Sequence, residues 1–274
     1  MNELYCVMGN PVEHSKSPWI HARFAELTGQ HLRYDKCLVA LDGFAHAVRE
    51  FAAQGGKGCN VTVPFKFEAP ALATRLSPRA QLAQAANTLR FEADGVFGDN
   101  TDGVGLVNDI AGNAGVDLRT RDVLLVGAGG AAAGVLAPLI EAGPRRVVVA
   151  NRTVDKARAL IESHDDLAMQ HRVELAACDL AVRDAFDVVI NATASSLSGD
   201  GVPVPGRVLK AGALAYDMMY GRAAQGFLAW ASDNGATPRD GLGMLVEQAA
   251  EAFFLWRGIR PPSGQVLAEL HAMA

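Results

Sequence analysis

The stretch that most constrains this chain is Val123-Leu124-Leu125-Val126-Gly127-Ala128-Gly129-Gly130-Ala131-Ala132, where an unbroken apolar run meets a glycine turn. Four apolar residues without alternation suit a central parallel strand covered on both faces. Gly127-x-Gly129-x-x-Ala132 has the G-x-G-x-x-A spacing of a dinucleotide-binding turn. Each small residue answers a steric need: Gly127 permits the tight turn, Gly129 lets backbone approach a pyrophosphate, and Ala132 lets the next helix lie close on the strand. That helix start offers free N–H groups and a positive dipole end to phosphates. A glycine run alone also fits a plain turn, but the context adds to it. The pattern predicts a helix over 133–142 with Pro138 inside or kinking it, a stop at Gly143-Pro144, and a second apolar strand Val147-Val148-Val149-Ala150.

The end of that second strand is where the adenine ribose of a dinucleotide meets the protein. It reads Asn151-Arg152-Thr153, with Lys156 one helical turn on. An NAD site would place Asp or Glu there for the ribose 2′-OH, whereas a guanidinium, a hydroxyl and an ammonium suit a 2′-phosphate. Arg152 can pair with phosphate through two N–H groups and stack on the adenine. Arg152 and Lys156 also fit a solvated helix start.

With 274 residues, half of them apolar, the chain can bury a substantial core as one large or two moderate domains. A net charge of -5 and a pI near 5.8 argue against a general nucleic-acid surface. Apolar stretches are short, and Met1-Asn2-Glu3-Leu4 lacks a signal peptide's basic and apolar regions, so no membrane partner and a cytoplasmic location are expected. Cys6, Cys37, Cys59 and Cys178 are scattered and read as reduced thiols, and neither they nor the histidines have a metal-site spacing.

Leu4 to Met8 reads as a first strand, followed by a loop with His14-Ser15-Lys16-Ser17-Pro18 and a helix to Thr28 that Ser17 would cap. Ser15 and Ser17, beside a helix start, can bind a carboxylate. Leu32 to Leu38 is a second strand, Asp42 caps a helix to Gln54, and the strand Gly58 to Val63 follows, with Lys66 just beyond it. Ligands of open α/β sheets sit beyond strand carboxyl ends, where Asn60, Thr62 and Lys66 fall. Taken singly, Lys66 also fits an ordinary exposed lysine.

Ser77-Pro78 starts another helix to Ala85, and Thr88–Phe91 and Val96–Gly98 flank a hairpin turn at Asp94-Gly95. Asp99-Asn100-Thr101-Asp102-Gly103 then leads into a helix over 104–114, with Asp102 as either a cap or a site residue. Further on are a helix over 154–163, a strand Val188–Ile190, a Ser/Gly/Pro-rich loop from Ser195 to Gly206 and a strand Leu214–Asp217. After a helix over 227–234, Gly241-Leu242-Gly243 reads as a hinge. A long helix over 244–256 carrying Glu247 and Gln248 and a terminal helix complete the chain. The fold class is therefore α/β with two domains: an N-terminal α/β domain and a Rossmann-like one. Residues 1–102 with 241–274 form the first, and 103–240 the second.

His14-Ser-Lys-Ser-Pro18, Asn60-Val-Thr-Val-Pro-Phe-Lys66, Ala86-Asn-Thr88, Gly98-Asp-Asn-Thr-Asp-Gly103, Gly127-Ala-Gly-Gly130, Asn151-Arg-Thr153 and Gly241-Leu-Gly-Met-Leu-Val246 occur in this order along nearly the whole chain. In these motifs the chain resembles the shikimate dehydrogenase family. The resemblance implies reversible reduction of 3-dehydroshikimate to shikimate with NADPH, on the way to chorismate and the aromatic amino acids. It implies that Ser15 and Ser17 hold the substrate carboxylate. Asn60, Thr62, Asn87, Asp102, Tyr220 and Gln248 would meet ring hydroxyls or line the pocket, and Lys66, with Asp102, would carry the catalysis. The NADP would meet Gly127, Ala128, Gly129, Gly130, Ala131, Asn151, Arg152, Thr153, Lys156, Met218 and Gly241.

The chain departs from the family's commoner pattern at three places: Ala132-Ala133 for a polar pair in the phosphate loop, Pro78 for a carboxylate, and Gln225-Gly226 for Thr-Pro. The small-molecule substrate would be bound by a monomer or homodimer. The rival readings are a broader shikimate/quinate dehydrogenase and a non-catalytic ligand sensor on the same fold. Lys66 and Asp102 weigh against the sensor.

Overall fold

The computed structural model describes residues 2–195 and 201–273 and divides into two compact units, Met1–Gly105 with Val246–Ala274, and Leu106–Leu245. The predicted loop Ser195 to Gly206 lies partly outside the described residues. In the first unit, β1 (Glu3–Gly9), α1 (Ser17–Thr28), β2 (Leu32–Leu38), α2 (Phe44–Ala53) and β3 (Gly56–Val61) come first. They are followed by β4 (Arg75–Leu76), α3 (Pro78–Ala83), β5 (Thr88–Glu92) and β6 (Gly95–Asp99). The sheet runs β2-β1-β3-β5-β6-β4, with β1 parallel to both neighbours, β5 antiparallel to β3 and to β6, and β4 parallel to β6. Cys6, Met8, Cys59, Val61, Phe65 and Leu89 fill its core.

Several local expectations give way here. Helix α1 begins at Ser17 itself, behind Lys16, and no side chain caps it. Ser17 is buried beside the Tyr34 phenol. Asp42 does not cap α2, which follows Gly43 without a side-chain cap. The β5–β6 turn has Ala93-Asp94 at its centre, because Glu92 pairs with Gly95. Gly95 supplies the positive φ, +149°, and an added Cβ would lie 2.2 Å from Thr74 Oγ1. Ser77 does cap α3, accepting from Ala80 N at 3.2 Å, and that helix stops early where Gln84 turns left-handed.

The second unit begins within α4 (Asp102–Asn108), which continues into a π-turn at Asp109–Asn113. Then come β7 (Asp122–Val126), α5 (Gly130–Glu141), β8 (Arg146–Ala150), α6 (Val154–Glu162), α7 (Asp165–His171), β9 (Glu174–Cys178) and β10 (Phe186–Asn191). They lead to β11 (Leu209–Asp217), α8 (Gln225–Asp233), β12 (Thr237–Arg239) and the start of α9 (Leu242–Arg257). The last helix, α10 (Ser263–Ala272), belongs to the first unit. All six strands are parallel in the order β12-β11-β10-β7-β8-β9, the doubly wound arrangement whose two halves part beside β7.

Strand β7 is central, which is why Val123, Leu124, Leu125 and Val126 are each at most 1% exposed. Each such side chain contributes about 1.5–3 kcal/mol of burial. Pro138 stays inside α5 as a fully accommodated residue of that helix. The hinge expected at Gly241-Leu242-Gly243 is instead a packed turn. A Cβ on Gly241 would stand 2.3 Å from Met218 O, and one on Gly243 would stand 1.8 Å from Asp109 Oδ1. Asp109 is itself fully buried, held by both Arg239 donors at 2.7 and 2.5 Å and by Tyr216 Oη at 2.7 Å.

Candidate active site

In the first unit, polar residues at the ends of β3, β5 and β6 gather around one carboxylate. Lys66, in the short 3-10 turn Phe65–Phe67 after β3, donates through Nζ to Asp102 Oδ2 at 2.6 Å. The other oxygen, Oδ1, accepts from Asn87 Nδ2 at 2.8 Å. Asp102 is thus gripped from both sides, with its side chain 12% exposed, while Lys66 keeps 30%. The pair is open enough to meet a ligand and buried enough for its charges to act strongly.

Asn87 is fixed in turn. Its Oδ1 accepts from Thr101 N at 2.9 Å and from Thr88 Oγ1 at 2.9 Å, and its amide also faces Gln248 Oε1 at 3.3 Å. Gln248 reaches this point because Gly105 has no side chain: a Cβ there would lie 2.6 Å from the Gln248 backbone nitrogen. Asn60 joins the group through Nδ2, donating to Thr88 Oγ1 at 3.0 Å and Asn87 O at 3.2 Å. The loop before Asp102 is tied down by Asp99, which receives two bonds from Arg79 at 2.8 and 2.5 Å and one from Ser77 at 2.5 Å. Burial raises the Asp99 pKa, but the Arg79 guanidinium and the other donors outweigh it and hold the carboxyl below its usual range.

Ser15, Ser17 and Thr62 also lie on this unit. Ser17 N donates to Ser15 Oγ at 3.3 Å, and Thr62 packs over Gly9, where a Cβ would meet Thr62 Cγ2 at 2.3 Å. Thr62 and Lys66 share one segment, and Lys66, Asp102, Asn87, Gln248 and Asn60 form one connected network. Tyr220, the remaining residue expected near the substrate, belongs to the second unit. Burial raises its phenol pKa above the usual tyrosine value. Thr88 and Thr101 are buried members of the network that sequence reasoning does not pick out as site residues. Their only signal is position, inside Ala86–Thr88 and Gly98–Gly103.

In the second unit the glycine turn has the geometry a dinucleotide needs. Gly127 has φ +112°, and a Cβ there would crowd Ala192 O and Thr193 Cγ2, both at 3.1 Å. At Gly129 a Cβ would meet nothing within 4 Å, so that backbone is open to approach. Helix α5 starts behind Gly129 with no side-chain cap, and Ala132 is fully buried where the helix meets the strand. Gly130 and Ala131 belong to the first turn of this helix. Ala128, Gly129, Asn151, Arg152, Thr153 and Lys156 line a pocket at the ends of β7 and β8. Asn151 Nδ2 closes the loop onto Thr153 O at 2.8 Å. The Arg152 and Lys156 side chains are exposed and make no hydrogen bond or ion pair among the described residues. This donor set fits an NADP molecule: backbone N–H groups for its pyrophosphate, and unspent cations for a 2′-phosphate. Met218 N donates to Asn191 O at 3.1 Å and Gly241 N to Met219 O at 2.9 Å, so Met218 and Gly241 lie on adjoining backbone.

A doubly wound nucleotide unit with a cationic strand end, in a chain that also carries a lysine–carboxylate pair in a second α/β unit, defines the class of nicotinamide-dinucleotide oxidoreductases. Comparison with known proteins narrows this. Residues 7–89 match the shikimate dehydrogenase substrate binding domain, 109–198 the shikimate / quinate 5-dehydrogenase family and 241–271 the shikimate 5′-dehydrogenase C-terminal domain. The shikimate dehydrogenase (NADP(+)) of Acidovorax sp. (strain JS42) is 66% identical, covering 98% of this chain and 96% of that relative. Among solved structures, an Ael1 enzyme from Pseudomonas putida is 46% identical with a TM-score of 0.91, each chain covered to 98%. The Thermus thermophilus shikimate 5-dehydrogenase, in complex with NADP(H) and shikimate, is 29% identical with a TM-score of 0.83, covering 99% of this chain and all of that one. This chain belongs to the shikimate dehydrogenase family, and it is an NADP-dependent oxidoreductase.

Proposed function

We propose that Lys66 and Asp102 form the proton-transfer pair of this enzyme. The reaction is the reversible NADPH-linked reduction of 3-dehydroshikimate to shikimate, and the pathway is that of chorismate and the aromatic amino acids. The observation that carries the proposal is the 2.6 Å bond from Lys66 Nζ to Asp102 Oδ2, with Asn87 on the other oxygen. NADPH, when bound, supplies the hydride. The Lys66 ammonium delivers a proton to the ketone oxygen as negative charge develops on it, and in the reverse direction the amine takes that proton back. Asp102 orients the amine, balances its charge and keeps lone pairs for a ring hydroxyl. Asn60 has both amide N–H groups committed, to Thr88 and Asn87, so it would face a ring hydroxyl as an acceptor.

Ser15 and Ser17 hold the substrate carboxylate in this reading, and Thr62, Asn87, Tyr220 and Gln248 complete the surroundings of the ring. Gly127 to Ala131 take the pyrophosphate, and Asn151, Arg152, Thr153 and Lys156 the adenosine 2′-phosphate. Met218 and Gly241 meet the rest of the cofactor. Residues 1–102 with 241–274 are the substrate domain, and 103–240 the cofactor domain. Free thiols at Cys6, Cys37, Cys59 and Cys178 suit a reducing compartment, and we place the enzyme in the cytoplasm. We propose that it works as a monomer or a homodimer. Initial rates on shikimate and on quinate, each with NADP and with NAD, test the reading. Shikimate with NADP should dominate, and equal turnover of quinate would replace it with a broader dehydrogenase.

A further inference from the structure

Tyr34, on β2, is 7% exposed, and its ring lies in an aromatic cluster with Tyr5, Trp256 and His21. His21 stacks on it with centroids 4.2 Å apart and planes 6° from parallel. The hydroxyl leaves this cluster and donates to Asn60 Oδ1 at 2.7 Å. From there a line of hydrogen bonds runs under the surface, with side branches from Asn60 Nδ2 to Asn87 O and from Asn87 Nδ2 to Thr101 Oγ1 and Gln248 Oε1. Asn60 Nδ2 donates to Thr88 Oγ1 at 3.0 Å, Thr88 Oγ1 to Asn87 Oδ1 at 2.9 Å, and Asn87 Nδ2 to Asp102 Oδ1 at 2.8 Å. Every link donates in the same direction, so each strengthens the next, and the line ends on the carboxylate that Lys66 grips from its other side.

The direction of the line depends on Tyr34. Turning the Asn60 amide over would set its oxygen against Asn87 O and Thr88 Oγ1, and a donor at Oδ1 is what holds it the other way. Tyr34, Asn60, Asn87, Thr88 and Asp102 are all at most 9% exposed, which leaves little room for water to replace a missing link. Burial pushes the Tyr34 phenol well above the usual tyrosine value, so it remains a neutral donor throughout the working range. Ser17 lies against the same phenol and favours its ionised form, against that larger effect of burial.

We propose that Tyr34 is a positioning residue for the proton-transfer pair, acting through Asn60, Thr88 and Asn87 on the orientation of Asp102. The inference rests on the assignment of Lys66 and Asp102 given above. Tyr34→Phe keeps the stacked ring and removes only the donor. It should lower kcat/KM for shikimate by roughly 10- to 100-fold, the scale of a reacting group held slightly out of place. KM for NADP should not move. In an Asn60→Ala background the same change should add no further loss, because the line is already cut. Thr88→Val breaks the line one link nearer Asp102, and it tests the same claim should Tyr34→Phe fold poorly. Unchanged kcat and KM for shikimate in folded Tyr34→Phe or Thr88→Val, with only a lower Tm, would overturn the inference. Lys66→Ala, assayed alongside, separates the two claims. If it keeps its turnover, the assignment of the pair falls and Tyr34 with it; if it is inactive while Tyr34→Phe matches the parent, only the role of Tyr34 falls.

Discussion

The polar groups around Asp102 and those around Arg152 both come from strand ends, yet they are kept in opposite states. Around Asp102 nearly every donor already has a protein acceptor: Lys66 and Asn87 are on the carboxylate, Thr101 N and Thr88 are on Asn87, and Asn60 is on Thr88. Arg152 and Lys156 are exposed and without such partners among the described residues. The difference is the one expected if the proposed roles hold, proton transfer at Lys66 and Asp102 and 2′-phosphate binding at Arg152 and Lys156. A proton must be passed along a defined direction, which calls for groups oriented before the substrate arrives. A 2′-phosphate brings its own charge and acceptors, so cations with nothing else to bind give the larger gain on contact. Mutations should therefore act on turnover and stability in the first region and on cofactor choice in the second.

The sharpest break of this contrast is at Lys66. Lys66→Ala removes the proposed proton donor and should lose about 10²- to 10⁴-fold in turnover, or roughly 3 to 5.5 kcal/mol of barrier. Initial rates at saturating NADPH and 3-dehydroshikimate would show it. A plain salt bridge would give the opposite result, lost stability with intact chemistry. Next comes Arg152→Ala, which should narrow the preference for NADP over NAD by roughly 10- to 100-fold, as expected from a charge-assisted bond worth about 1.5–3 kcal/mol. Its thermal midpoint should stay that of the parent. A wild type that used both cofactors equally would contradict this account of Arg152.

Stability supplies the third test. Asn87 is 2% exposed and bonds to Asp102, Thr88 and Thr101 N, so Asn87→Ala leaves buried groups without partners. It should cost about 1–3 kcal/mol in urea unfolding. If it unfolds at the parent midpoint, the network is looser than its distances imply.

Much of this is legible in the sequence, and the parts that are not share a cause. Strand β2 is found where its pattern predicts it, and Lys66 and Asp102, which fall beyond strand ends in the sequence, are joined by one hydrogen bond, whereas Asn87 is reached only through the family resemblance. The glycine turn is readable because Gly127, Gly129 and Ala132 meet their constraints within a few residues of chain. What escapes depends on partners far apart. Strand β12 is three residues long and gains its place only by pairing with β11. Gly243 looks like part of a hinge because its crowding comes from Asp109, on another helix. Ser17 and Asp42 have the chemistry of helix caps, but α1 already includes Ser17 behind Lys16 and α2 starts behind Gly43 without Asp42. The link from Tyr34 to Asn60 joins β2 to β3 and has no local signature.

The smallest effect concerns the histidine beneath that link. His21 is fully buried and neither ring nitrogen has a hydrogen-bond partner among the described residues. Burial lowers its pKa to about 3, against a smaller opposing effect of the nearby Asn60. In the unfolded chain it titrates near its ordinary value of about 6.5. Between these values the unfolded state holds the extra proton, so stability is greatest above about pH 6.5 and falls as the pH drops toward 3. From pH 6.5 to 5.5 the loss attributable to this one residue should be about 1 kcal/mol. His21→Phe keeps a flat ring for Tyr34 to stack on and has nothing to protonate, so its unfolding free energy should fall less over that interval by the same amount. Arg152→Ala, from the other region, should follow the parent's pH dependence throughout. An identical slope in His21→Phe and the parent would mean that the imidazole takes up its proton in the folded state, and that the ring under Tyr34 is less secluded than its burial implies.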